Sequence, residues 1–168
     1  MAHQSGNLLS VTEGIIVHGC NAQGVMGSGV AAAVREQYPG AYEAYRALYE
    51  KAKQAGLKDL PLGRIAWFRV SESPKLAIAN AITQRFYGRD SSVRYVSYEA
   101  IEEAFGRIAK VAREHDLQVH YPLIGAGLAN GDWNTIADII DRQLAGVRHT
   151  LWTLPGMPPP ARRSAPRP

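Results

Sequence analysis

Gly19-Cys20-Asn21-Ala22-Gln23-Gly24-Val25-Met26-Gly27-Ser28-Gly29-Val30 is the stretch on which the reading of this chain turns. The apolar run Gly14-Ile15-Ile16-Val17-His18 precedes it, and Ala31-Ala32-Ala33-Val34-Arg35 follows it. That order reads strand, glycine-rich loop, helix. Four glycines within eleven residues let a backbone come close to a ligand. The helix behind them turns its free N–H groups and the positive end of its dipole the same way. The segment is therefore an anion site, and phosphate is the commonest occupant of such a place.

A second glycine loop, Ile124-Gly125-Ala126-Gly127-Leu128-Ala129-Asn130-Gly131, follows another apolar run, Val119 to Ile124. In open α/β sheets ligands sit beyond the carboxyl ends of strands. Two loops there can grip a diphosphate from both sides. Around them, strand patterns fall at Leu8 to Val11, Ile65 to Val70, Leu76 to Ile82 and Val147 to Leu154. Helical periodicity runs over Gly29 to Gln37, Ala41 to Ala55, Val96 to His115 and Trp133 to Leu144. Tyr42, Tyr45 and Tyr49 share one helical face and read as packing. Strands alternate with helices, so the class is α/β, with a sheet between helical layers.

The 168 residues suit one domain with a substantial core. No apolar run approaches the roughly eighteen residues of a membrane helix. The first residues show no secretory leader, and the one cysteine, Cys20, has no internal partner. The expectation is a cytoplasmic protein. The last fourteen residues hold Arg162, Arg163 and Arg167 and no acid, so without them the formal charge falls from +4 to +1. The basic balance therefore belongs to the tail and does not indicate a nucleic-acid surface. Six prolines mark residues 155 to 168 as a disordered extension to a domain spanning 1 to 154. No His/Cys cluster has metal spacing, and no cofactor is expected.

Two nucleotide motifs can be tested. A Walker loop needs Lys-Ser/Thr after its last glycine, but Val30-Ala31 follows Gly29. Gly27-Ser28-Gly29-Val30-Ala31-Ala32 matches the dinucleotide pattern G-x-G-x-x-A. Several residues separate it from its strand, however, and the region about 20 residues on is helical rather than a strand ending in an acid. The combination Gly6-Asn7-Leu8-Leu9, Ile16-Val17-His18-Gly19-Cys20-Asn21, Gly24 to Ala31, Pro122 to Leu128 and Trp133 resembles a macrodomain, a module that binds ADP-ribose. The resemblance runs from about Gly6 to Leu154. Within the family it is similar to the ADP-ribose 1''-phosphate phosphatase branch.

The resemblance implies a three-layer α/β/α fold with a mixed, mainly parallel sheet. It implies binding of ADP-ribose and hydrolysis of ADP-ribose 1''-phosphate to ADP-ribose and phosphate. The alternatives are a non-catalytic ADP-ribose reader and a hydrolase removing ADP-ribose from modified macromolecules. Adenine would lie beside Asn7 and Leu8, where many macrodomains have Asp. Asn21 would bond the distal ribose. Gly19, Gly24, Val25, Met26, Gly27, Ser28, Gly29 and Val30 would line the ribose and diphosphate, and Gln84 would reach the ligand. Ile124, Gly125, Ala126, Gly127 and Leu128 would offer backbone N–H groups to the phosphates. His18 would aid water attack, with Asp90 or Asp132 as base.

The chain also departs from the family. Asn80 to Gln84 holds no lysine where some de-ADP-ribosylating members carry one, and Ala129 stands where some carry an acid. Each site residue also has a plainer reading. His18 would be a satisfied core histidine, Asn21 a cap on its loop, Asp132 the N-cap of the helix at Trp133, and Asp90 a turn residue.

Overall fold

The computed structural model describes residues 1–163. Six strands form one sheet: β1 (Ala2–Ser5), β2 (Gly14–Asn21), β3 (Ile65–Glu72), β4 (Lys75–Gln84), β5 (Val119–Tyr121) and β6 (His149–Thr153). Their order is β1-β6-β5-β2-β4-β3. Every pairing is parallel except the β3–β4 hairpin. Four helices cover it: α1 (Gly29–Gln37), α2 (Pro39–Gln54), α3 (Tyr98–His115) and α4 (Trp133–Gln143). The architecture is the mixed, mainly parallel three-layer α/β/α sandwich.

Alternation along β2 divides the core. Ile15 and Val17 pack with Phe105, Ile108, Ile136 and Ile140 under α3 and α4. Ile16 packs with Val34, Ala41 and Ile78, and Cys20 with Tyr45, Ala66 and Ile82, under α1 and α2. β2 is buried at every position but Gly19, which is why both parities are apolar.

Local chemistry sets the ends. Ser97 caps α3 through Ala100 N–H (3.1 Å), and Asp132 caps α4 through Thr135 N–H (3.1 Å). Pro39 opens α2, where its missing N–H costs nothing. One expected strand differs. Leu8–Ser10 is a single 3-10 turn, because Asn7 accepts from Leu9 N–H (3.0 Å) while Leu8 and Leu9 sink together into the core. The strand near the N-terminus is instead Ala2–Ser5, paired with β6.

Residues 155–163 form neither helix nor strand. Arg162 there pairs with Asp138 (2.5 Å) and Asp141 (3.3 Å) of α4, and Arg163 N–H donates to Asn134 (2.8 Å). The rest of the expected extension, 164–168, lies outside the described residues. No described helix is long and apolar enough to cross a membrane.

Candidate ligand cleft

From β2 the chain passes through α1 and α2 toward β3 and β4 on one side. It returns through α3 to β5 on the other side of β2. Beyond the carboxyl ends at that reversal opens a cleft of about 600 Å³, the size of a small-molecule site.

The first wall is Gly27–Ala31. The N–H groups of Gly27, Ser28, Gly29, Val30 and Ala31 find no acceptor among the described residues. Ser28 caps α1 with no side-chain bond, so nothing among the described residues takes up the helix's positive end. Gly29 adopts φ +60°, and nothing lies within 4 Å of where its Cβ would stand. Glycine there keeps the nest of amides open and unstrained.

The opposite wall is Pro122–Gly125 and Gly127–Ala129. Ile124 and Ala126 N–H groups close on the loop itself, donating to Pro122 and Leu123. Those of Gly125, Gly127 and Leu128 have no acceptor among the described residues. Gly125 has φ +74°, and a Cβ there would come within 2.7 Å of Val96. Asn130 ties the loop down, donating from its side chain to Asp90 O (2.9 Å) and Val93 O (2.7 Å).

Asn21 lines the cleft but spends most of its amide inward. Its oxygen accepts from Gln23 N–H (2.9 Å) and Val25 N–H (3.4 Å), and its nitrogen donates to Val25 O (2.7 Å). Tyr45, which the sequence reading treated as packing alone, completes this brace. Its hydroxyl proton faces Asn21 O (2.7 Å) and Asn21 Oδ1 (2.9 Å), and its oxygen accepts from Gly24 N–H (3.0 Å). Gly19, Val25 and Gln84 also line the cleft. Gly24 and Met26 do not: Gly24 O accepts from Arg46 (3.0 Å), and Met26 is buried among α2 residues. Ala126 is likewise outside the lining.

The three titratable candidates lie elsewhere. His18 shares the β2 face of Ile16 and Cys20 and is sealed under α2. Its Nε2–H donates to Asn80 Oδ1 (2.6 Å), and Asn80 Nδ2 donates to Ala41 O (3.0 Å) and Ala66 O (2.9 Å). Burial lowers the His18 pKa to about 4 against a weaker opposing effect of Asn80, so the ring is neutral. The Asp90 carboxylate accepts from Ser92 N–H (2.9 Å) and Ser92 hydroxyl (2.6 Å), which hold it below its ordinary pKa. Asp132 is held low by Thr135 while capping α4. Asn7 and Leu8 form the 3-10 turn and do not line the cleft either.

Two lining features carry no sequence signal. Thr83, 1% exposed, holds a buried hydroxyl with no partner among the described residues. A Cβ on Gly19 would stand 2.8 Å from it. At the β6 end the lining is apolar, with Trp152, Leu154 and Met157. The segment from the end of β4 onward adds Gln84, Tyr87 and Arg89. No carboxylate lines the cleft among the described residues, and Arg89 is its one charged side chain. No group of three metal-ligating side chains occurs among them.

The Macro domain family model matches residues 17–140. A macrodomain protein from Streptomyces coelicolor is 31% identical, with a match covering 90% of this chain and 97% of that one at a TM-score of 0.73. A Bacteroides thetaiotaomicron protein of unknown function is 27% identical over 90% of this chain and 96% of its own, at 0.78. Thermosipho africanus DarTG in complex with ADP-ribose is 18% identical over 86% of this chain and 38% of its own, at 0.66, and shares the fold. No curated protein matches.

Proposed function

Since this chain belongs to the macrodomain family, we propose that its cleft binds ADP-ribose, with the diphosphate between the two glycine loops. One observation carries the reading: two rows of amides without acceptors among the described residues, one at a helix N-terminus, in a cleft that no described carboxylate lines. Such donors stabilise a dianion at no cost of reorganisation. The apolar β6 end, Trp152 with Leu154 and Met157, suits a purine. Gln84, at the end of β4, offers its amide oxygen to the second ribose. A ligand solved in a distant relative, ADP-ribose in Thermosipho africanus DarTG, is consistent with this assignment.

Hydrolysis of ADP-ribose 1''-phosphate is the second reading. It is favoured by the α1 N-terminus and Arg89, which stabilise charge on a transferring phosphoryl group. No lining side chain serves as general base, and His18, Asp90 and Asp132 have no part in it. Turnover would rest on positioning, with a phosphate oxygen of the ligand itself taking the proton from water.

The test is calorimetric titration of ADP-ribose, with phosphate release from ADP-ribose 1''-phosphate followed in the same preparation. Binding without release is the expected result for a reader, and release moves the protein to the second reading. Absence of binding overturns both.

A further inference from the structure

We infer that the affinity of the cleft's apolar end is set from outside the cleft: Arg162, clasped to α4, acts through the Pro158-Pro159-Pro160 strut to hold Met157 in the wall that a purine meets. The inference rests on the ADP-ribose reading above and adds to it a positioning residue that does not line the cleft.

Met157 is a wall residue that neither strand nor helix carries. Beyond β6 the chain turns at Leu154–Met157, where Met157 N–H donates to Leu154 O (3.0 Å). Pro155 and Gly156 take the two central positions, and Gly156 has φ +81°, as a type II turn asks. The hydroxyl of buried Thr153 donates to Met157 O (2.7 Å). Every residue from Leu154 to Arg163 is exposed, so burial does not keep the segment in place. A turn held by two hydrogen bonds, with no buried side chain of its own, opens readily.

The second hold is on α4. Asn134, Asp138 and Asp141 fall at i, i+4 and i+7, one stripe of that helix. The Arg162 guanidinium donates to Asp138 Oδ1 (2.5 Å) and Asp141 Oδ2 (3.3 Å), and Arg163 N–H donates to Asn134 Oδ1 (2.8 Å). Two carboxylates on one guanidinium form a small network, which holds better than an isolated exposed pair. Between turn and clasp stand three prolines, each with φ fixed, a stiff rod of roughly 9 Å. A flexible linker would lose the connection, whereas a rigid one transmits it. Arg162 and Met157 are therefore two ends of one piece. With the clasp open, Met157 leaves the wall more often, and a ligand has to order it on binding.

The experiment is a double-mutant cycle, read by calorimetric titration of ADP-ribose into wild type, Met157→Ala, Arg162→Gln and the combined variant. Met157→Ala should weaken binding about fivefold through lost apolar contact, and Arg162→Gln about threefold. The combined variant should bind no more weakly than Met157→Ala alone, because Arg162 acts only through Met157. Arg162→Lys should recover part of the loss, since an ammonium still meets a carboxylate. The gap between wild type and Arg162→Gln should close as salt rises, because salt opens the clasp in wild type too. Unfolding midpoints without ligand should move by no more than about 2 °C, as Arg162 lies at the surface. Losses that multiply in the combined variant, no loss from either single variant, or a larger fall in midpoint overturns the inference and leaves the ADP-ribose reading standing. Absence of wild-type binding overturns that reading and the inference with it.

Discussion

Single side chains in and behind the cleft divide into those spent on the protein and those left over. Tyr45 is of the first kind. Its hydroxyl joins Asn21 to Gly24, so Tyr45→Phe leaves an amide and a carbonyl without their partner. A loss of about 1–2 kcal/mol in chemical denaturation is expected, with weaker ADP-ribose binding because the first loop loosens. Thr83 is of the second kind. Thr83→Val keeps the shape and removes an unpartnered buried hydroxyl, so the midpoint of thermal unfolding without ligand should stay level or rise. A fall would mean that the hydroxyl is bonded in solution. These two residues also mark where the sequence stops being legible. The glycines announced both loops, because a loop that must approach a ligand can use no other residue. Tyr45 looked like packing because its spacing was helical, and spacing is silent about what a hydroxyl reaches across the core. His18 was open to two readings because β2 is buried on both faces, so its parity with Ile16 and Cys20 did not say whether a cleft or a helix lay opposite.

At the scale of elements, the N-terminus of α1 is the decisive part. Its amides, dipole and bare Gly29 act together, so one substitution can test them all. Gly29→Glu places a carboxylate in the nest and a Cβ at φ +60°, which costs about 1 kcal/mol of stability. ADP-ribose binding should become undetectable by calorimetry while circular dichroism stays native. Retained binding would relocate the diphosphate. The central elements were readable from apolar runs and caps; Asp132, three residues before Thr135, announced α4 as a cap does. β1 was not readable. Ala2–Ser5 is exposed at every position, so it has no buried face to impose alternation, and only its pairing with β6 makes it a strand. The Leu8–Val11 run showed the reverse fault: adjacent leucines looked like a strand, yet they enter the core from one tight turn.

For the whole molecule, buried histidines make stability depend on pH. His18 titrates near 4 when folded against 6.5 for an unperturbed imidazole, and burial likewise lowers His120 and His149. The unfolded chain therefore takes up protons first. Stability is complete above about pH 6.5 and declines as pH falls toward 4, by about 3 kcal/mol from His18 alone. Thermal midpoints measured from pH 7.5 to 4.5 should fall, and His18→Gln should flatten that slope without abolishing it. An unchanged slope would assign the loss to other groups. The cleft, finally, takes its lining from residues 19–31, 83–89, 122–129 and 152–157, four stretches that the chain brings together only when the sheet is complete. ADP-ribose bound as proposed would span them all and so work as a removable staple between distant parts of the polypeptide. Its grip would be felt by strands it never touches, raising the stability of the whole sheet in proportion to ligand occupancy.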